Sequence, residues 1–128
     1  MPLDHTGVIV NKDLFEKTVT WYENALKPIG YSKTIDHKVA VGFGEGKGRA
    51  DWWVACQQTT NTGTHHAFSV QTRALVDEFH KAAVEAGGTD NGAPGLRPMY
   101  HPNYYGAFVR DPAGNNIEAV CHLPEPAI

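Results

Sequence analysis

Thr64-His65-His66-Ala67-Phe68-Ser69-Val70 repeats, sixty residues on, the pattern of Asp4-His5-Thr6-Gly7-Val8-Ile9-Val10. Each copy opens on a histidine and runs into alternating apolar residues that suit a strand. One amphipathic stretch follows each copy. Phe15, Val19, Tyr22 and Leu26 form the first stripe, and Leu75, Val76, Phe79, Ala83 and Ala86 the second. At an offset of sixty, Phe15 falls on Leu75 and Val19 on Phe79, so strands and helices keep one register. The period exceeds that of most solenoid repeats and two copies make no array. The pattern reads as a duplication inside one domain.

Local signals fill in the rest. Asp13-Leu14-Phe15-Glu16 has the spacing of a capping box, and Pro28 and Gly30 stop the first helix. From Tyr31 to Gln57 the pattern is strand-like: Val39, Val41 and Phe43 alternate before a Gly-rich turn at 44–48, and Asp51 to Cys56 forms another strand. In the second half Thr72 caps a helix that ends at Gly87-Gly88. The Gly- and Pro-containing segment Asn91 to Asn103 reads as a long loop before a strand from Tyr104 to Arg110. Asp111-Pro112-Ala113-Gly114 is a turn with Pro in its second place, and Asn116 to His122 is the last strand. Each half is thus β-α followed by about three strands, an α+β arrangement.

The 128 residues suit a single domain, with module one at about 1–60, module two at about 61–123 and a short Pro-containing tail at 124–128. A net charge of -3 with scattered lysines and arginines offers no face to nucleic acid. No apolar run approaches the roughly 18 residues of a membrane span. The start lacks the basic and apolar regions of a signal peptide, so a cytoplasmic location is expected. Cys56 and Cys121 read as structural thiols of a reducing compartment, with no cysteine spacing for zinc.

Strand alternation decides which side chains converge. His5, Gly7 and Ile9 share one face, His65, Ala67 and Ser69 another, and Glu118 and Val120 a third. The bulkier positions (Val8, Val10, Phe68, Val70, Ile117, Ala119) should meet the helices. That leaves His5, His65 and Glu118 on the inner face. Two imidazoles and a carboxylate suit a divalent first-row metal with open positions for water or substrate. His66 should face the helix layer as a structural residue, and His37 and His80 should be solvated. His122 shares the parity of Glu118 and flanks the cavity mouth. One of Trp52 and Trp53 must face inward, while Arg97, Tyr100, His101, Tyr104 and Tyr105 lie in or beside the long loop, placed to cover a substrate. The Gly-rich stretch at 42–48 opens no helix, so it is no phosphate loop. Neither a nucleophile elbow nor a dinucleotide fingerprint is present.

Together these residues resemble the vicinal oxygen chelate superfamily, which includes glyoxalase I, extradiol dioxygenases and bleomycin or fosfomycin resistance proteins. The marks are Asp4-His5-Thr6-Gly7, Thr64-His65-His66-Ala67-Phe68 and the run from Ala107 to Glu118 that contains Asp111-Pro112-Ala113-Gly114-Asn115-Asn116-Ile117-Glu118. The resemblance covers the whole chain and implies two paired βαβββ modules forming an open, cup-shaped mixed sheet. It places metal ligands on His5, His65 and Glu118, with Glu118 doubling as the catalytic base. It implies Zn, Ni, Fe(II) or Mn as the divalent metal, and a substrate-binding role for Trp53, Arg97, His101, Tyr104 and Tyr105. The fourth, acidic ligand of glyoxalase-like members falls on Trp53, which cannot ligate; Asp51 or Gln57 could replace it only through an even register slip.

Three activities follow from the resemblance. The first is a glyoxalase-like lyase or isomerase that chelates vicinal oxygens of a small substrate and stabilises an enediolate-type anion. The second is an Fe(II) extradiol-type dioxygenase, and the third a non-catalytic protein that binds an antibiotic or toxin. A small molecule is the expected partner in each, without nucleic acid or membrane. A homodimer is the expected assembly, and the cup closes either within one chain or across that dimer.

Overall fold

The structure is a computed structural model that describes residues 5–46, 48–56 and 64–125. Asp4, Gln57, the joint at 59–63 and the end of the tail lie outside the described residues. Module one runs β1 (Thr6–Val10), α1 (Phe15–Ala25), β2 (Ser32–Asp36), β3 (Ala40–Gly44) and β4 (Trp52–Cys56). Module two repeats it as β5 (His65–Ser69), α2 (Arg73–Glu85), β6 (Thr89–Leu96), β7 (Tyr105–Arg110) and β8 (Asn116–Cys121). Each helix carries the chain past its sheet to the far edge, which lets the last strand return beside the first. The orders are therefore β1-β4-β3-β2 and β5-β8-β7-β6. The β1/β4 and β5/β8 pairs are parallel and the others antiparallel. These are two open, mixed βαβββ sheets, the α+β architecture anticipated from the repeat.

Alternation sorts the faces as expected. Val8, Val10, Val54, Ile117 and Ala119 are buried in the core, and Phe68 packs against it. Gly7 faces the other way, beside Trp53 on β4. A Cβ on Gly7 would come within 2.3 Å of the Trp53 carbonyl oxygen, so no larger residue fits between the two strands.

Two local readings change. Asn11, rather than Asp13, is the capping residue: its side chain accepts from the Asp13 amide at 3.0 Å and opens a 3₁₀ turn, Lys12–Leu14. That turn delivers α1 without a side-chain cap of its own, because Asn11 still holds the extended backbone of the strand exit when the turn begins. The segment after α2 is the second change. Much of the expected loop is strand β6, paired to β7 through register shifts at Asp90/Gly92 and Gly92/Gly95. Gly and Pro are tolerated there because β6 is an edge strand. The true loop shrinks to the residues between Leu96 and Tyr105. Thr72 caps α2 as anticipated, accepting from the Leu75 amide at 3.1 Å.

The modules join through their helices. The Trp21 indole on α1 donates to the Ala83 carbonyl of α2 at 2.9 Å, and Trp52 sets its ring against Phe68 at 4.9 Å. One continuous core results. No helix among the described residues is long and apolar enough to cross a membrane.

Candidate functional site

His65 and Glu118 meet on the inner face of the second sheet. β5 and β8 lie side by side in parallel, with Ala67 against Glu118 and His65 against Asn116. His65 Nδ1 is 3.0 Å from the Asn116 backbone oxygen. A carbonyl only accepts, so Nδ1 carries a proton, and in the neutral ring Nε2 is then the acceptor nitrogen. Nε2 faces Glu118 Oε1 at 3.3 Å. The carboxylate is 2 % exposed and the imidazole half exposed, so a buried anion looks out to solvent past one histidine ring.

The second carboxylate oxygen is engaged from the other side. The Tyr104 hydroxyl donates to Glu118 Oε2. Burial, then the bond to Glu118, pushes that hydroxyl well above the ordinary tyrosine range. Tyr104 is therefore a donor throughout the working pH range. Gly106 makes the contact possible, since a Cβ there would lie 3.1 Å from Glu118 Oε2 and 3.2 Å from the Tyr104 ring. Phe108, beside Glu118 on β7, stacks against His65 at 6.2 Å. A cleft of about 400 Å³ is lined by His65, Tyr100, Tyr104, Phe108, Asn116 and Glu118.

The other sequence candidates are distributed differently. His5 is exposed at the head of β1, and among the described residues no third His, Cys, Asp or Glu joins His65 and Glu118 within one chain. His66 faces the opposite side, edge-on to Trp52 at 4.8 Å, and burial followed by the neighbouring His65 lowers its pKa. Trp53 stands on the face of Gly7 with His37, exposed as expected, stacked over it at 6.0 Å. Asp51 accepts from the Tyr31 hydroxyl at 2.8 Å. Arg97 turns back on the end of β6, donating to the carbonyls of Gly95 and Ala93, each at 2.8 Å. Tyr105 faces α2, where its hydroxyl donates to Asp77 at 2.7 Å; that bond, then burial, pushes it up to about 12. His101 pairs with His122 beside Tyr104. Sequence reasoning passed over Gly106, Phe108 and the Asn116 carbonyl. Alternation from Glu118 across to β7 was a usable signal for the first two, whereas a backbone carbonyl leaves none.

The sequence profile described as the Glyoxalase/Bleomycin resistance protein/Dioxygenase superfamily matches residues 3–119. The chain belongs to that superfamily. Solved structures agree on the fold. A glyoxalase/bleomycin resistance protein from Albidiferax ferrireducens T118 superposes with a TM-score of 0.73 at 26% identity, covering 93% of this chain and 98% of that one. A glyoxalase/bleomycin resistance protein/dioxygenase family enzyme from Burkholderia phytofirmans PsJN gives 0.70 at 19% identity, with coverage of 96% and 100%. TioX from Micromonospora sp. ML1 gives 0.67 at 17% identity, covering 93% and 98%. No curated protein sequence matches the chain.

A divalent metal, which members of the superfamily commonly use, fits the donor set found here. Two ligands on one ion, each at about 2.0–2.2 Å, sit roughly 3 Å apart, close to the separation of Nε2 and Oε1. The carbonyl behind His65 is the outer partner that a ligating imidazole commonly has.

Proposed function

We propose that this protein is a divalent-metal-dependent enzyme of the glyoxalase-like class, a lyase or isomerase acting on a small substrate with neighbouring oxygens. One observation carries the reading. The Nε2 of His65 faces the buried Glu118 carboxylate at 3.3 Å, and with the ring neutral these are two acceptors that a cation between them would satisfy. His65 and Glu118 would hold the metal, with His5 as a third ligand from a second copy of the chain in a homodimer. The bound ion would supply Lewis-acid polarisation of the substrate oxygens.

The chain's own groups account for the rest. The Glu118 carboxylate would take a proton from the hydroxyl-bearing carbon next to a polarised carbonyl and return it to the carbonyl carbon while the hydroxyl proton passes to the former carbonyl oxygen, so the substrate is isomerised without net gain or loss. Tyr104, held protonated, donates to Oε2, which leaves Oε1 as the oxygen that faces both the metal position and the substrate. Phe108 and Tyr100 line the cleft beside the pair and offer aromatic surface to a substrate. Both cysteines are free, in keeping with work in the cytoplasm.

The test is metal titration of the purified protein followed by turnover of a glutathione hemithioacetal. Wild type should bind Zn, Ni, Fe(II) or Mn at one site per chain and consume the substrate, and Glu118→Gln should lose both. Equal metal binding by the two proteins would sink the reading. A second reading is supported by Trp53. With no acid at that position the donors number two histidines and one carboxylate, the set used by Fe(II) oxygenases. Oxygen uptake with a catechol panel, and no hemithioacetal turnover, would transfer the assignment to a dioxygenase. A metal-free protein that still binds an aromatic ligand would instead mark a binding protein.

A further inference from the structure

His101 and His122 touch each other directly, next to the site but outside its ligand set. We propose that they are a positioning pair, two imidazoles that act through Tyr104 to hold the Glu118 carboxylate toward His65. This rests on the reading of Glu118 as the carboxylate of the site.

The hydrogen bonds fix the protonation of both rings. The backbone N–H of Asn103 meets His101 Nδ1 at 3.1 Å, and an amide N–H only donates. His101 therefore carries its proton on Nε2 and donates to His122 Nδ1 at 2.8 Å. His122 in turn holds its proton on Nε2. The chain runs in one direction, from amide to imidazole to imidazole, and it exists only when both rings are neutral. An added proton on either ring sets N–H against N–H and breaks one of the two bonds.

The neutral pair makes a wall for Tyr104. The Tyr104 ring stands edge-on to His101 at 5.5 Å and to His122 at 5.3 Å, with Tyr100 against it at 4.8 Å. The main chain is already anchored, because the Arg97 amide donates to the Tyr104 carbonyl at 2.7 Å. With the backbone fixed, the ring packing decides where the hydroxyl goes, and it goes to Glu118 Oε2. His122 follows β8 directly, with the parity of Glu118, so β8 and the residue after it carry both the carboxylate and the outer end of the clamp. The charged or titratable neighbours of this ring are Tyr100, Arg97 and Glu118. The Arg97 guanidinium is occupied by backbone carbonyls, so it does not compete for the imidazoles.

The experiment separates a hydrogen-bonded clamp from mere ring packing. His122→Phe keeps an aromatic ring and loses the acceptor, whereas His122→Asn puts a side-chain oxygen in the place of Nδ1. His122 is exposed, so neither variant disturbs the core. The full chain is labelled with 3-fluorotyrosine, the Tyr104 resonance is assigned with Tyr104→Phe, and fluorine spectra are followed from about pH 8 to about pH 5, where imidazoles take up a proton. Co(II) absorption reports the metal site. In wild type the Tyr104 resonance should move on acidification. In His122→Phe it should be displaced already at the upper pH and stay there, with Co(II) bound about tenfold more weakly, the usual scale for an outer-shell partner. His122→Asn should match wild type in both respects at the upper pH. A Tyr104 resonance and Co(II) affinity unchanged in His122→Phe would overturn the pair and leave the metal reading intact. The expected fluorine shifts without any Co(II) binding would support the pair and overturn the metal reading.

Discussion

Tyr22 of α1 donates its hydroxyl to Asp111 Oδ2 across 2.6 Å, joining residues 89 apart in sequence and lying in different modules. Both are buried. Asp111 also takes the amides of Ala113 and Asn115 on Oδ1 and the Asn115 side chain on Oδ2. It thus shapes the turn that feeds β8 while receiving a bond from the other half. Burial first, then the Asp111 charge, raises the Tyr22 hydroxyl well above its usual range, so it always donates. Tyr22→Phe should cost about 2 kcal/mol, the scale of a hydrogen bond to a charged group. Denaturant unfolding should show one cooperative transition at a lower midpoint, and a loss under about 0.5 kcal/mol would show the bond to be inconsequential.

Glu118 is a buried carboxylate whose Oε1 faces His65 Nε2, and with the ring neutral that pair of acceptors is unfavourable unless a cation lies between them. Metal-free Glu118→Gln should therefore be at least as stable as the metal-free wild type. Adding metal should reverse the order. At a hundredfold excess over Kd, wild type should gain about 2.7 kcal/mol, visible as a raised Tm, and Glu118→Gln should gain nothing. Parallel thermal melts with and without metal decide it.

Gly106 lies under the contact between Tyr104 and Glu118, where an added methyl would press on both side chains. The carboxylate and the ring can each yield by a few tenths of an ångström, so Gly106→Ala should fold with a loss of no more than about 1–3 kcal/mol. Its effect should appear at the site: metal affinity should fall roughly tenfold. Calorimetric titration of the two proteins checks this, and equal affinities would show that the space is not needed.

His80 was expected to be solvated, yet its Nε2 lies 2.8 Å from Asp90 Oδ1 at the start of β6. That bond, followed by the Gly92 amide, lowers the Asp90 pKa below its ordinary 3.8. A carboxylate depressed in the folded state adds stability above its unfolded pKa and loses it as pH falls through the folded value. Stability should accordingly decline with acid just below pH 3.8 more steeply in wild type than in Asp90→Asn. Urea midpoints measured across that acid limb compare the two slopes, and parallel curves would dismiss the pair.

The order of elements was legible because two periodicities, near two for strands and near 3.6 for helices, recur in register along both halves. Parity alone put His65 and Glu118 on one face, where the structure also has them. β6 was hidden because its Gly92, Pro94 and Gly95 carry the composition of a loop, and only its edge position permits them in a strand. The clamp of His101 on His122 was equally hidden. It depends on how the short connection between β6 and β7 closes, which no local pattern encodes. The carbonyl that sets the His65 tautomer belongs to Asn116, whose side chain gives no hint of that role.

Where His5 acts is open to a direct genetic test. A site assembled from two chains would take His5 from one copy and His65 with Glu118 from the other, and Ile9, on the same face of the chain's first strand and 47% exposed, is an apolar surface suited to such a contact. His5→Ala and Glu118→Gln should each be inactive alone. In a mixed dimer, one site would combine the intact His5 of the Glu118→Gln chain with the intact His65 and Glu118 of the other, while the second site would carry both lesions. Random two-fold pairing makes half of the dimers mixed, so metal sites and turnover should recover to about a quarter of wild type after unfolding and refolding the two variants together. A site completed within one chain would recover nothing, because every site would then hold one lesion or the other.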